Sequence, residues 1–349
     1  MFKKFALACL PLVALSACQD PASSGDGASR SEIRIVGSST VFPFAKAVAE
    51  QFANADPSRK SPILESTGTG GGMELFCNGT GAATPDIANA SRRMKKAEFD
   101  RCAENGVTDI VELVVGIDGI AVAQSVKGKP LTLTTLDLYK ALAANPFGAD
   151  KNGTASWSDI NAAYPAVKLN IYGPPSTSGT RDALTELIME PGCKTDEKTA
   201  ALKDSDKEKY EAVCHEVRTD GAYVDAGEND NLIIQKLAGN PDSVGIFGYS
   251  FLEENLSTVR GVPINGVEPT YDNIASGKYP GARPLYIYVK KAHLDVIPGL
   301  REYIAEFLGA GARDGYLVKA GLIASPDEER AATKAKFEAL ETLKGDDLK

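Results

Sequence analysis

Short β-branched runs alternate with apolar residues at helical spacing along most of this chain. Residues 33–36 have the pattern of a strand, and Phe44, Val48 and Phe52 follow at the spacing of one helix face. Further strand patterns cover 110–115, 117–123, 169–172 and 285–289, and further helix patterns cover 136–142, 183–189 and 297–308. Strands that alternate with helices are typical of parallel sheets covered by helices, so we predict an α/β fold.

Near the C terminus, Ser325, Pro326 and Glu328 have the spacing of a helix N-terminus with a capping box. Phe337 follows at helical spacing. We therefore predict a last helix that begins here and lies on the surface of the fold.

Residues 1–17 have the pattern of an export signal. Lys3 and Lys4 precede a short apolar run, 5–14, which has the length of a signal-peptide core and is too short to span a bilayer. We predict that this segment is removed and that the protein is exported to the periplasmic side of a bacterial membrane.

Cys18 follows Leu15-Ser16-Ala17, an arrangement that resembles a bacterial lipobox. We predict cleavage before Cys18 and a lipid on its thiol, which would hold the protein at the membrane surface. An ordinary secretory signal cut near Ala17 is the alternative. Residues 18–31 are small and polar and are predicted to be a flexible tether, so folded structure should begin near Glu32.

The formal net charge of the chain is -9. Such an acidic protein is a poor partner for nucleic acid, and we predict none. A small anion is not excluded, because a pocket of fixed dipoles can hold an anion inside an acidic protein.

Four cysteines remain beyond the predicted signal and lipid site: Cys77, Cys102, Cys193 and Cys214. An even number in an exported chain indicates two disulfides, for which the sequence allows three pairings. We favour Cys77–Cys102 and Cys193–Cys214, because each closes a short loop. Zinc binding is the alternative, but the sequence contains no CxxC pair. Its two histidines, His215 and His293, are interpreted as surface residues, so we expect no metal or cofactor.

Three turns rich in serine, threonine and glycine occur at 37–40, 67–72 and 176–180, and at least two lie between a strand and a helix. A helix N-terminus presents unpaired N–H groups, glycine permits close approach, and hydroxyls add donors. Each turn by itself is compatible with a simple helix cap. Together they predict a single site for a tetrahedral oxyanion.

Two arginines adjoin these hydroxyls. Arg92 follows Ser91, and Arg181 follows Thr180. A guanidinium can bind an oxyanion through two parallel hydrogen bonds, so both arginines are predicted to take part.

Five segments resemble, in order and spacing, those of the phosphate-binding proteins of Pst-type ABC importers: GSSTVFPF (37–44), STGTGGGMELF (66–76), DIANASR (86–92), STSGTRD (176–182) and SVGIFGYSF (243–251). The resemblance covers most of 33–310. It is strongest to a cyanobacterial-like branch that shares the positions of Cys77 and Cys102 and a GENDN-like segment.

The resemblance implies a two-lobed periplasmic-binding-protein fold of type II with the ligand in the cleft. Lobe one would comprise 32–115 and 286–349, and lobe two would comprise 116–285. The phosphate contacts implied by the resemblance are Thr40, Val41, Thr69, Ser178, Gly179 and Thr180. The predicted site also includes the adjoining residues Ser39, Ser91, Arg92 and Arg181.

The chain departs from the family pattern at two positions. Arg92 stands where the best-known members have an aspartate that accepts the proton of phosphate and so rejects sulfate, and Pro174 stands where they have an arginine. A buried carboxylate facing an unprotonated oxyanion is repelled. Asp118 is the first candidate to replace that aspartate, followed by Glu228 and Asp230.

The predicted function is therefore capture of inorganic phosphate, without catalysis, by a monomer that delivers it to the membrane permease of an ABC importer. Another oxyanion, such as sulfate, molybdate, phosphonate or arsenate, is the first alternative. A secreted phosphatase with Ser178 or Thr180 as nucleophile is the second, although no base or metal cluster accompanies it. A structural or adhesive lipoprotein is the third.

Overall fold

The computed structural model describes residues 30–227 and 229–348. The predicted signal, the predicted lipid site Cys18 and most of the predicted tether lie outside these residues. Within the described ranges, no helix is both long enough and apolar enough to cross a membrane.

The strands of the described residues form one continuous hydrogen-bonded network. They are β1 (Arg34–Gly37), β2 (Ile63–Ser66), β3 (Ile87–Ala90), β4 (Ile110–Ser125), β5 (Ile171–Gly173), β6 (Tyr223–Asp225), β7 (Val244–Gly248), β8 (Val259–Gly261) and β9 (Ala282–Lys290). The strand predicted at 110–115, with its continuation through 117–123, is confirmed as β4, which passes through a bulge between Val114 and Gly116.

The strand order is β2-β1-β3-β9-β4-β7-β5-β6, with β8 beside β4. Parallel pairs stand at both ends: β2, β1 and β3 on one side, and β7, β5 and β6 on the other. The antiparallel pair β4–β9 joins the two halves, with β4 continuing from β9 to β7 and β8.

Helices cover both halves of the sheet. They are α1 (Phe42–Ala55), α2 (Gly68–Phe76), α3 (Lys96–Glu104), α4 (Thr135–Leu142), α5 (Trp157–Ile160), α6 (Gly179–Ala183), α7 (Glu190–Cys193), α8 (Glu197–Ser205), α9 (Lys207–Cys214), α10 (Asp230–Gly239), α11 (Tyr249–Glu254), α12 (Tyr271–Ala275), α13 (Leu300–Ala310), α14 (Tyr316–Lys319) and α15 (Asp327–Ala339). A π-helical stretch, Leu184–Met189, connects α6 to α7 without a break. Three short 3-10 turns are Pro146–Gly148, Lys291–His293 and Gly345–Asp347.

Buried apolar side chains form separate clusters on the two sides of β4–β9. One cluster takes its members from between Ile117 and Tyr279, together with Ile323. The other two take theirs from before Ile117 and from Leu285 onward. The chain therefore folds as two lobes joined by the β4–β9 pair, and loops at the inner ends of both sheet halves face one another.

Both favoured disulfides are confirmed. Cys77 is bonded to Cys102 and Cys193 to Cys214, which excludes a zinc site built from these thiols. On the chain-entropy account, closing loops of this length stabilises the fold by about 3 kcal/mol each.

The interpretation of His293 as a surface residue is wrong. Its side chain is 1% exposed, with Nδ1 2.6 Å from Asp86 Oδ1 and Nε2 2.8 Å from the Thr80 carbonyl oxygen. No local pattern indicates this burial, because Asp86 and Thr80 are more than 200 positions away along the chain.

The C-terminal helix α15 is present, but the predicted capping box is not formed. Pro326 occupies the cap position, so the helix starts one residue later than predicted and no side chain caps it. The Ser325 hydroxyl is consequently buried without a hydrogen-bond partner.

Candidate functional site

The first turn, which follows β1, enters the cleft from lobe one. Thr40 and Val41 are buried, and the Val41 N–H points to Ser38 Oγ at 3.4 Å. Helix α1 begins immediately afterwards at Phe42. The first N–H groups of a helix have no partner within the helix, so this end of α1 gives the turn a positive potential.

The second turn is fastened to the end of β3. Thr69 Oγ1 accepts a hydrogen bond from the Ser91 N–H at 3.1 Å and lies 3.2 Å from Ser91 Oγ. Thr69 belongs to the first turn of α2, whose Gly72 backbone packs on β1 at Gly37. The second turn is therefore held to Ser91, the residue that precedes Arg92, by a direct hydrogen bond.

The third turn comes from lobe two and touches the first. A Cβ added at Gly179 would lie 3.5 Å from the Thr40 Cα, an ordinary van der Waals contact, so the two backbones lie close together. Ser39 Oγ donates a hydrogen bond to Asp182 Oδ2 at 2.8 Å across the cleft. Ser178 Oγ caps α6 by accepting from the Thr180 N–H at 3.2 Å.

Arg283, on β9, lies where the two lobes meet. Its side chain is only 10% exposed. One Nη2 hydrogen is donated to Thr40 Oγ1 at 2.9 Å, Nε lies 3.4 Å from Asp118 Oδ2, and Nη1 forms an ion pair with Glu186. This guanidinium therefore contacts lobe one through Thr40 and lobe two through Glu186.

Asp118 stands directly opposite Arg283 on the neighbouring strand β4. Burial raises the pKa of the Asp118 carboxyl above its ordinary value, Arg283 opposes that shift, and the negative charges of Glu186 and Asp182 add to it. Two carboxylates, Asp118 and Glu186, thus contact one guanidinium, and Asp118 takes up a proton more readily than an ordinary aspartate.

Arg92 lines the cleft but is engaged by another residue. Its two Nη atoms donate to the two carboxylate oxygens of Glu98 at 2.9 and 2.7 Å. The pKa of Glu98 lies below its ordinary value: partial burial opposes ionisation, but the Arg92 guanidinium and the Lys95 N–H outweigh it. The pair is therefore ionised, and Arg92 adds a partly neutralised charge to the wall.

Arg181 is turned toward its own lobe. Nε and Nη2 donate to the Pro174 carbonyl oxygen at 3.1 and 2.8 Å, and the guanidinium stacks over the Tyr223 ring. Arg181 thus holds the loop that precedes the third turn.

The first two turns, together with Arg92, Arg283 and Glu186, line a cavity of about 640 Å³ in the cleft. Five of the predicted site residues line it: Ser39, Thr40, Thr69, Ser91 and Arg92. Ser178, Gly179, Thr180 and Arg181 do not line it, although Gly179 abuts the Thr40 wall. A second cavity, of about 530 Å³, lies between α13 and α15 and contains none of the predicted residues.

The outer rim of the cleft carries a compact charge network centred on Glu190. Its carboxylate lies 2.7 Å from Lys203 Nζ and 3.1 Å from His215 Nε2, and it also pairs with Lys194. Glu190, Lys203 and His215 all line the cavity. Two lysines around one carboxylate leave this rim positive, which favours the approach of an anion.

The other two candidate carboxylates have different outcomes. Glu228 lies outside the described residues. Asp230 begins α10 and accepts a hydrogen bond from the Gly248 N–H at 3.2 Å. It does not line the cavity described above.

Sequence reasoning missed Arg283 and Glu186. The predicted strand began at Leu285, whereas β9 begins at Ala282, so Arg283 was placed outside the strand. A charged residue beside a strand expected to connect the lobes was the available signal. No sequence signal pointed to Glu186, because it lies within an ordinary helix pattern.

Comparison with known proteins gives matches along most of the chain. The sequence profile of the PBP superfamily domain matches residues 22–310. Protein SphX of Synechococcus elongatus is 32% identical over 290 residues, which are 81% of this chain and 74% of that protein. The phosphate-binding protein PstS of Staphylococcus epidermidis is 30% identical over 328 residues, which are 90% of this chain and 86% of that protein.

A crystal structure of a possible phosphate binding protein from Planctomyces limnophilus is similar in fold. It superposes with a TM-score of 0.72 at 29% sequence identity, covering 90% of this chain and 100% of that one. The predicted two-lobed fold of type II is therefore confirmed.

Proposed function

Since the chain belongs to the PBP superfamily and, within it, to the PstS-like phosphate-binding proteins, we propose that it captures inorganic phosphate in the cleft between its lobes. The proposal goes further: the protein delivers phosphate to the membrane permease of an ABC importer. It acts on the extracytoplasmic side as a lipid-anchored monomer, and it catalyses no reaction.

One observation carries this proposal. The turns at 37–40, 67–72 and 176–180, far apart in the sequence, meet around one cleft. Thr40 and Thr69 line the same cavity, and Gly179 packs against the Thr40 backbone. Hydroxyls and helix N-termini aimed at one point bind an oxyanion through fixed dipoles, without a need for net positive charge.

We assign direct phosphate contacts to the hydroxyls and N–H groups of the three turns. These are Ser39, Thr40, Val41, Thr69, Ser91, Ser178, Gly179 and Thr180. Arg92 contributes charge at the wall, and Arg181 positions the third turn through Pro174. The lobes are assigned as 32–115 with 286–349, and 116–285, and they close through the β4–β9 pair.

Asp118 is the carboxylate we assign to discrimination between phosphate and sulfate. Its negative charge, next to Arg283, disfavours an anion without a proton. Asp118 does not line the cavity, so it acts on the anion through Arg283.

Calorimetric titration of the purified protein with phosphate, sulfate and molybdate tests the function. We expect phosphate to bind in the titration. In thermal denaturation with each anion, we expect phosphate to raise the melting temperature by mass action and sulfate to raise it far less. Equal shifts for phosphate and sulfate would defeat the phosphate-specific assignment, and no shift with any oxyanion would favour a structural role. Turnover of an aryl phosphate would favour a phosphatase instead.

A further inference from the structure

We infer that Arg283 is the cation that binds the oxyanion and that Glu186 is a built-in competitor for the same guanidinium. This inference rests on the proposed function of the cleft.

Arg283 is the best placed of the arginines near the turns. It donates directly to Thr40 Oγ1 at 2.9 Å and lines the same cavity as Thr69 and Ser91. Arg92 has its Nη1 hydrogens on both Glu98 and the Arg93 carbonyl oxygen, and Arg181 has Nε and Nη2 on Pro174. The contacts of Arg283 engage one hydrogen at each of its three nitrogens, so each Nη keeps a second N–H for an anion.

The two carboxylates on Arg283 differ in their freedom to leave. Asp118 is fixed on β4 opposite Arg283, and its side chain is 16% exposed. The Glu186 side chain is 48% exposed and lines the cavity. Solvent and an incoming anion can therefore reach Glu186, whereas Asp118 stays behind the guanidinium.

The charges around Arg283 require that the oxyanion replace Glu186 and not bind beside it. Asp118 and Glu186, which both contact Arg283, outnumber its single positive charge, so an additional anion beside them would be repelled. When Glu186 rotates away, the oxyanion takes the place of its carboxylate and the local charge changes little. Anion affinity then depends on the difference in free energy between the Arg283–oxyanion pair and the Arg283–Glu186 pair.

The test compares the affinities for phosphate and sulfate in the wild-type protein, Arg283→Gln and Glu186→Gln. We expect Arg283→Gln to weaken phosphate binding by about a hundredfold, because charge-assisted hydrogen bonds are lost. We expect Glu186→Gln to tighten both anions by about fivefold, the scale of a partly exposed ion pair. Arg101→Gln and Glu74→Gln are matched controls, since they remove the same charges from a surface pair 2.9 Å apart.

Each result bears on a distinct claim. Phosphate binding that survives Arg283→Gln unchanged overturns the inference while leaving phosphate capture intact. Weaker phosphate binding in Glu186→Gln overturns it as well, because Glu186 would then assist the anion. If Arg283→Gln fails to fold, the affinity of the Glu186→Gln variant, whose changed side chain is half-exposed, still tests the inference. A wild-type protein that binds no phosphate defeats both the proposed function and this inference.

Discussion

Gly72 of α2 packs directly on Gly37 of β1: a Cβ added at Gly72 would lie 2.4 Å from the Gly37 Cα. No side chain other than hydrogen fits this contact. The contact brings the start of α2, with Thr69, beside the turn that carries Thr40, so the distance between two halves of the candidate site depends on it.

Substitution of Gly72 by alanine should therefore lower the free energy of unfolding by about 1–3 kcal/mol through overpacking, and should weaken phosphate binding. Gly70→Ala is the matched control in the same helix, because no atom lies within 4 Å of its added Cβ. Urea denaturation of both variants checks the stability difference. Equal free energies of unfolding for Gly72→Ala and Gly70→Ala would show that α2 and β1 can move apart without loss of stability.

Removal of the Thr40 hydroxyl should cost both affinity and stability. Thr40→Val keeps the shape of the side chain but leaves an N–H of Arg283 without its acceptor in a buried place. We expect phosphate affinity to fall about tenfold, measured by calorimetry. The exposed Thr108→Val variant is the control, and a Thr40→Val protein that behaves like it would remove Thr40 from the site.

Arg92→Gln should weaken phosphate binding by only about two- to threefold, because Glu98 already neutralises much of this charge. The loss should shrink as salt is added, since a charge acting through solvent is screened. Titrations at low and high ionic strength measure both effects. A hundredfold loss would instead indicate direct contact, and no change at low salt would exclude Arg92 from the site.

Lys290 should make stability depend on pH. The side chain is 1% exposed, and burial lowers the pKa of its ammonium to about 7, although Asp86 opposes the shift. The unfolded state, with an ordinary pKa near 10.4, therefore binds more protons between about pH 7 and 10, so this group makes stability rise with pH across that window.

Lys290→Met should abolish that rise, on the order of 3 kcal/mol across the window. Denaturation at several pH values, compared with the exposed Lys46→Met variant, isolates the effect. A wild-type protein and a Lys290→Met protein with parallel pH profiles would show that Lys290 keeps its charge when buried, held by the Gly79 carbonyl and Thr84 hydroxyl.

Local patterns were sufficient for much of the fold. The strand of β1, the helix face of α1 and the long β4 are readable because side chains repeat with period two or 3.6 whatever the rest of the chain does. Both disulfides were also predictable, since each joins cysteines 25 or fewer positions apart. The capping box failed where two local signals competed and Pro326 took the cap position.

The sequence by itself determined which elements form and which loops carry hydroxyls and glycine, because those properties depend on neighbours along the chain. Only the tertiary structure decided which charged groups face one another. Arg283 meets Thr40 from 243 positions away and Glu186 from 97, and His293 meets Asp86 from 207. Such pairs follow from how β4 and β9 bring the lobes together, and no periodicity encodes that geometry.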